Sequence, residues 1–237
     1  MPQTPLTPAA PSPRHGRFVA IQVLLLITCY AAWIGTQHLL EAMRGPSPAL
    51  TDHVHVLLQG VNAWLNQHVT VANIVLALSS FEVDLAGVSM TLIYFRTGRS
   101  RPILTAFFLL IARQLCQASF SIPAPEGMIW RNPGFPSLIV TYTTSTDFFF
   151  SGHMGMATML AAELSAQGKR DWRWWFAWGV LPVQAFIILA MRFHYVTDVV
   201  TGFLAALAAS ALADRVGAVI DARTGSANCR PSAVAGP

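Results

Sequence analysis

Six long apolar segments constrain the fold of this chain more than any other feature. About 20 helical residues cross the apolar core of a bilayer, and each segment is close to this length or longer. Only 11% of the 237 residues are charged and the mean hydropathy is +0.49, which is typical of a membrane protein. We therefore predict an all-α, polytopic membrane protein with six transmembrane helices in a bundle. The predicted spans are residues 18–40, 69–95, 102–122, 148–164, 174–191 and 196–213.

The positions of lysine and arginine predict the orientation of this bundle. With the N-terminus inside, eleven basic residues fall on inner segments and three on outer segments. Cytoplasmic loops carry such an excess, so we expect both termini to be cytoplasmic and the protein to be a multi-pass protein of a plasma (inner) membrane. The net charge of +4 follows from this topology and gives no indication of nucleic-acid binding.

Both ends of the chain differ in composition from the predicted bundle. Residues 1–17 are rich in proline, and the last residues mix Gly, Ser, Ala and Pro. Such segments bury little apolar surface, so we predict disordered cytoplasmic tails at 1–17 and 216–237. They flank one six-helix domain at residues 18–215.

Two histidines are predicted to meet at the outer face of the bundle. One is His153 in "DFFFSGHMG", at the start of the fourth span, and the other is His194 in "RFHYVTDVV", just before the sixth. Asp198 follows His194 by four residues, so on a helix the two share a face and the carboxylate accepts a hydrogen bond from the imidazole. That bond leaves the other ring nitrogen free to attack, with His153 available for proton transfer.

Simpler interpretations exist for each of these residues taken alone. A single histidine at a membrane interface is usually a helix-end residue, and Ser151 with Gly152 is also explained as an N-cap and a turn. An N-cap is compatible with a phosphate bound at the helix N-terminus. The combination of two histidines, one aspartate and Ser-Gly at a helix entrance indicates an active site facing a periplasm or lumen.

Arg113 lies inside the third predicted span, where a guanidinium costs about 2.5 to 3.5 kcal/mol. Such a residue requires a partner. One interpretation is a structural ion pair with Glu82 or Asp84, and the other is binding of a substrate phosphate, whose oxygens suit the planar guanidinium.

The motifs around these residues resemble a known enzyme superfamily. "SGH" and "HYVTD" resemble two blocks of the type 2 phosphatidic acid phosphatase superfamily, and "DFFFSGH" with "HYVTDV" resembles its sphingomyelin synthase branch more closely. "ARQLCQASFSIPAPEGM" resembles the arginine-bearing helix of that branch, and "PSPALTD" resembles its first block. The phosphatases carry a lysine where this chain has Tyr94, seven residues before Arg101-Pro102, and an arginine where it has Ile188, which favours a transferase.

This resemblance implies a lipid phosphotransferase that works through a phosphohistidine. His194 would be the nucleophile, Asp198 would stabilise the imidazolium, and His153 would act as acid and then as base. The substrate-binding residues would be Arg113, Asp147, Ser151, Gly152, Tyr195 and Arg192. A phospholipid would donate its head group to a ceramide-like or other lipid alcohol, without a metal or other cofactor.

Three other activities remain open from the sequence alone. With water as acceptor, the same site would belong to a lipid phosphatase or a phospholipase C-type hydrolase. Glu82, Asp84 and Arg113 would suit a proton-coupled transporter. His153, His194 and Asp198 would also suit a metal hydrolase, because two histidines and a carboxylate are a known ligand set.

One further segment, residues 50–65, has apolar residues at helical spacing and contains His53 and His55. We interpret it as an amphipathic helix in the outer interface, and no catalytic role is expected for its histidines.

Overall fold

The computed structural model describes residues 13–43, 52–140, 142, 149–168 and 170–224, and these contain helices and no strands. The predicted all-α class is therefore confirmed for the described part of the chain. The helices are α1 (Pro13–Met43), α2 (His53–Leu57), α3 (Gln59–Gln67), α4 (Val69–Thr97), α5 (Arg101–Ser119), α6 (Gly152–Ala166), α7 (Trp172–Ala190) and α8 (Val196–Thr224).

Five of the described helices are long and apolar enough to cross a membrane, namely α1, α4, α5, α7 and α8. The chain is thus a multi-pass membrane protein. The fourth predicted span, 148–164, corresponds to α6, which has only 15 residues because Ser151 caps its first turn. A sixth complete crossing stays a prediction.

The short helix α6 lies at the centre of the bundle and packs against α4, α7 and α8. It presents small residues to these neighbours, including the buried Gly155, Ala157 and Ala161. Small side chains let helix backbones approach closely inside a membrane. The position of α6 places its first turn, and therefore His153, among the ends of the surrounding helices.

The described helices extend beyond several of the predicted spans. Helix α1 begins at Pro13, because proline is well tolerated in the first turn of a helix, and α8 continues to Thr224. Parts of both predicted tails are therefore helical, whereas residues 1–12 and 225–237 lie outside the described chain. The amphipathic segment forms two helices, α2 and α3, that meet at Leu58.

A network of charged side chains joins three helices at the end of the bundle away from His153. Arg101, at the start of α5, bonds to Glu163 of α6 and to Asp214 of α8. Nearby, the hydroxyl of Ser100 donates to Asp221 of α8 at 2.7 Å. Arg101 is the arginine of the phosphatase-like Arg-Pro pair, and it lies at the opposite end of the bundle from His153. It holds helices together and does not reach the end where the two histidines lie.

We expect Arg101→Met to destabilise the protein, because it leaves the buried Glu163 carboxylate without its cation. Breaking a buried pair from one side costs about 3 to 5 kcal/mol, and the Glu163 side chain is only 6% exposed. The double variant Arg101→Met/Glu163→Gln should recover much of the loss. Thermal unfolding in detergent measures both effects.

The matched control is Arg215→Met, which removes an exposed arginine of α8. Its effect should stay within about 0.5 kcal/mol. An equal loss of stability in the Arg101 and Arg215 variants would contradict the structural role of the network.

Candidate active site

The first turns of α6 and α8 are joined directly to each other. The backbone N–H of Ser151 donates to the carbonyl of Asp198 at 3.0 Å. Gly202, one turn further along α8, lies so close to Ser151 that a Cβ on Gly202 would collide with the Ser151 carbonyl oxygen. A glycine is therefore required there, and its absent side chain lets the two helix starts meet.

His153 stands at the second position of α6, buried in an aromatic environment. Its ring lies 5.8 Å from Trp130 and 5.7 Å from Phe193, measured between ring centroids. Within the described part of the chain, no group hydrogen-bonds to its Nε2 atom. That nitrogen is therefore available to an oxygen of a bound substrate.

His194 precedes α8, and its partner Asp198 lies in the first turn of that helix. The distance from His194 Nδ1 to Asp198 Oδ2 is 3.9 Å, within ion-pair range but longer than a hydrogen bond. The same Oδ2 accepts the N–H of Tyr195 at 2.9 Å, as the third helical residue does in a capping box. The two side chains are therefore brought close by a helix cap, because His194 precedes α8 and only Asp198 lies on that helix.

A second carboxylate, Asp52, caps the same helix from a distant part of the chain. Its Oδ2 accepts the N–H of Val196, the first residue of α8, at 2.6 Å, while its Oδ1 accepts the N–H of Val54 at 2.8 Å. It therefore caps α2 and α8 together. Asp52 is buried, so these bonds form away from water and hold the two segments in one position.

His55, in the same segment as Asp52, holds the turn that contains His194. Its Nε2 donates to the backbone carbonyl of His194 at 3.0 Å. Burial lowers the pKa of His55, an effect that Asp52 and the bond to His194 partly offset and that Arg192 reinforces. Burial thus favours the neutral ring, which retains the N–H that this bond requires. His55 is a positioning residue in the structure, a role that the sequence did not predict.

Arg113 reaches the same region from α5, and amide side chains orient it. Its Nη1 donates to Gln37 of α1 at 3.1 Å, and Gln117 accepts from Nη2 at 2.9 Å when its amide is turned to suit. The guanidinium lies against Gly152, where a Cβ would stand 3.3 Å from Arg113 Nε. Gly152 therefore gives Arg113 access to the start of α6.

The predicted ion pair of Arg113 with Glu82 or Asp84 is absent from the described residues. Asp84 instead accepts the N–H groups of Leu138 and Ile139, each at 2.9 Å. Asp84 thereby holds the segment before α6 against α4. The same carboxylate was one of the groups proposed for a proton relay, and here it binds backbone N–H groups.

The three basic groups share one cavity of about 280 Å³. Arg113, His153 and His194 line it together with Gly152, Trp130 and Phe193. The remaining described lining is almost entirely apolar and comes from α1, α4, α5, α6 and the segment before α6. A cavity with a cationic and aromatic end and an apolar remainder suits an amphiphile with an anionic head group.

Four predicted substrate-binding residues are not among the described residues that line this cavity. Ser151 is fully buried and its hydroxyl caps α6, accepting from Met154 at 3.3 Å. Tyr195 is buried beside His55. Asp147 lies outside the described residues.

Arg192 is the fourth. It has a φ of 60°, a conformation uncommon outside glycine, and donates to the carbonyls of Glu126 at 2.5 Å and His55 at 3.0 Å. It stabilises the turn that leads to His194, because its guanidinium donates hydrogen bonds to these two backbone carbonyls.

A metal hydrolase would require His153, His194 and Asp198 to converge on one ion. Across the residues the structure describes, no group of three or more His, Cys, Asp and Glu side chains is arranged to hold a metal ion. The carboxylate of Asp198 faces the backbone N–H of Tyr195.

A model of the AtPDCT1/2 family matches residues 51–215. This is a family of phosphatidylcholine:diacylglycerol cholinephosphotransferases, membrane enzymes that transfer phospholipid head groups, and it differs from the sphingomyelin synthases. The predicted sphingomyelin synthase branch is therefore wrong. Two of the motifs behind that prediction surround the histidines and two lie elsewhere, and motifs this short do not separate one lipid-acting family from another. No curated protein and no solved structure matches the chain.

The double cap made by Asp52 predicts a specific local loss when it is removed. Asp52→Ala should destabilise the start of α8 by about 0.5 to 2 kcal/mol, the usual cost of losing an N-cap. Asp52→Asn should lose much less stability, because the amide oxygen still accepts a hydrogen bond from the backbone. Hydrogen exchange of peptides covering residues 193–200 measures the opening of this turn. Equal exchange in the two variants would contradict the capping role.

Proposed function

The chain belongs to the AtPDCT1/2 family, and we propose that it transfers phosphocholine from phosphatidylcholine to diacylglycerol. The observation that carries the proposal is the convergence of Arg113, His153 and His194 on one largely apolar cavity. Phosphocholine transfer requires a nucleophile, a proton donor and a cation for the phosphate oxygens, and these three residues supply them.

In the first half-reaction, His194 attacks the phosphorus of phosphatidylcholine. A P–N bond forms and the P–O bond to diacylglycerol breaks, while His153 delivers a proton to the departing oxygen. Asp198, 3.9 Å from His194 Nδ1, stabilises the positive charge that develops on the imidazole. Diacylglycerol leaves, and phosphocholine stays on His194.

The second half-reaction is the reverse with a different lipid. His153, now neutral, removes the proton from the hydroxyl of an incoming diacylglycerol, whose oxygen attacks the phosphorus. The P–N bond breaks and a new phosphatidylcholine forms. Because the bonds broken and formed are the same in both halves, one acid–base residue serves both.

Arg113 binds the phosphate oxygens in this proposal. Negative charge accumulates on these oxygens as phosphorus becomes five-coordinate, and a preorganised guanidinium lowers the energy of that state. Gln37 and Gln117 help to fix its orientation.

The choline group would bind against aromatic rings. Trp130 and Phe193 line the cavity with their centroids 5.0 Å apart, and Tyr142 lies 5.0 Å from Trp130. A quaternary ammonium is attracted to the faces of such rings. No carboxylate is among the described lining residues, so the rings are the described groups best suited to this cation. We place the reaction at the outer face of the membrane, following the distribution of basic residues.

The reaction is tested with the full-length protein in mixed micelles. The donor is phosphatidylcholine labelled in its choline, and the acceptor is diacylglycerol with deuterated acyl chains. We expect labelled phosphatidylcholine carrying deuterated chains, detected by mass spectrometry. His194→Ala should lower transfer by orders of magnitude, as loss of a covalent nucleophile does, and should prevent labelling of the protein after an alkaline quench.

The matched control is His53→Ala, which removes an exposed histidine of α2 and should leave transfer nearly unchanged. Residual transfer above about a tenth of wild type in His194→Ala would refute the nucleophile. Release of free phosphocholine without new phosphatidylcholine would instead identify a hydrolase.

A further prediction concerns the choice of head group. Trp130→Leu should lower transfer from phosphatidylcholine more than transfer from phosphatidylethanolamine, because cation–π attraction of about 0.5 to 2 kcal/mol is lost. A dimethylated donor should give an intermediate effect. Trp33→Leu, which alters a tryptophan contributed to the cavity by α1, is the control and should leave the ratio unchanged. An equal loss for all donors in Trp130→Leu would show that Trp130 acts only in packing.

A further inference from the structure

The cavity extends well beyond the space that a phosphocholine group needs. Along α5 its lining runs from Arg113 back through Leu110, Phe107 and Ala106 to Ile103. Ten helical residues correspond to about 15 Å, which is half of the roughly 30 Å hydrocarbon core. The apolar part of the cavity is therefore about as long as one leaflet is deep.

One wall of this apolar part is made by α1. Leu26, Cys29, Tyr30 and Trp33 line the cavity, and their spacing of three and four residues places them on one face of the helix. Neighbouring residues on the other faces are exposed, for example Leu24 at 63% and Leu25 at 50%. These faces are apolar and suit contact with lipid.

Helix α1 is held differently from the rest of the bundle. It packs mainly against α5 and lacks the extensive contacts that α6 makes with its neighbours. It also precedes residue 51, where the family match begins. The cavity therefore combines a catalytic end built within the matched residues and a side wall built outside them.

We propose that the groove between α1 and α5 binds an acyl chain of the substrate lipid. This inference rests on the proposed function, since it takes the lipid whose phosphate lies at Arg113 and places its tail. An apolar groove that continues directly from the cationic end positions a chain and a head group of the same molecule. The chain comes from an equally apolar bilayer, so the groove stabilises it through close packing contacts and through the position of the head group it belongs to.

The same groove serves donor and acceptor in turn. Once phosphocholine is held on His194, the first diacylglycerol leaves and a second occupies the vacated space. The two lipids have the same backbone and chains, so a single groove suffices for a two-step reaction. Leu26 lies eleven helical residues before Gln37, the partner of Arg113, so it lines the groove about 16 Å along α1 from the phosphate end, where the length of the chain matters.

The experiment compares two adjacent leucines of α1. Leu26→Trp fills the groove, whereas Leu25→Trp adds the same bulk to the exposed face. Transfer is measured with phosphatidylcholine carrying four-carbon chains and with phosphatidylcholine carrying sixteen-carbon chains. We expect Leu26→Trp to lower kcat/KM for the long-chain donor about tenfold and to leave the short-chain donor nearly unchanged. Leu25→Trp should match wild type for both donors.

A binding readout separates this inference from the proposed function. Phosphatidylcholine with a photoreactive diazirine near the end of one chain is cross-linked to the full-length protein, and labelled peptides are mapped. We expect labels on α1 and α5 in wild type and Leu25→Trp, and a loss of these labels in Leu26→Trp. Labelling of α1 and α5 without any transfer would refute the proposed function and still support acyl-chain binding in the groove. Two results would contradict the proposed groove. One is transfer without labels on α1 and α5, and the other is an equal decrease of kcat/KM for both donors in Leu26→Trp.

Discussion

The contact between the first turns of α6 and α8 is the constraint on which the candidate site depends. Ser151 and Asp198 are joined through their backbones, and Gly202 leaves room for that bond. The histidine that follows Ser151 and the histidine that precedes Asp198 are carried to one cavity as a result. Their relative position is therefore set by main-chain geometry, which is far stiffer than a pair of free side chains.

Charged residues divide the structural work between the two ends of the bundle. At the end of the bundle away from His153, Arg101 joins three helices through carboxylates. At the end that carries His153, Gln37 accepts from Arg113, and Arg192 bonds to backbone carbonyls. Arg101 and Arg192 thus stabilise the structure, whereas Arg113 also lines the cavity.

Much of the fold follows from the sequence, because apolar length and helical spacing are local properties. The long spans and the position of His153 at a helix start were predictable in this way. The roles of Asp52 and His55 were not, since their partners Val196 and His194 lie about 140 residues away. A helix-cap signal was present at Asp52, but nothing local indicated that it caps a second helix. The predicted enzyme family was wrong for a similar reason. Short sequence motifs do not determine which lipid the rest of the cavity binds.

Helix α1 contributes Gln37 to the orientation of Arg113 and four residues to the cavity wall, yet it lies outside the matched residues 51–215. The basic groups that line the cavity and part of its apolar wall thus belong to separate stretches of the chain. Membership of the family therefore accounts for the first and leaves the shape of the second to a helix that the match does not cover.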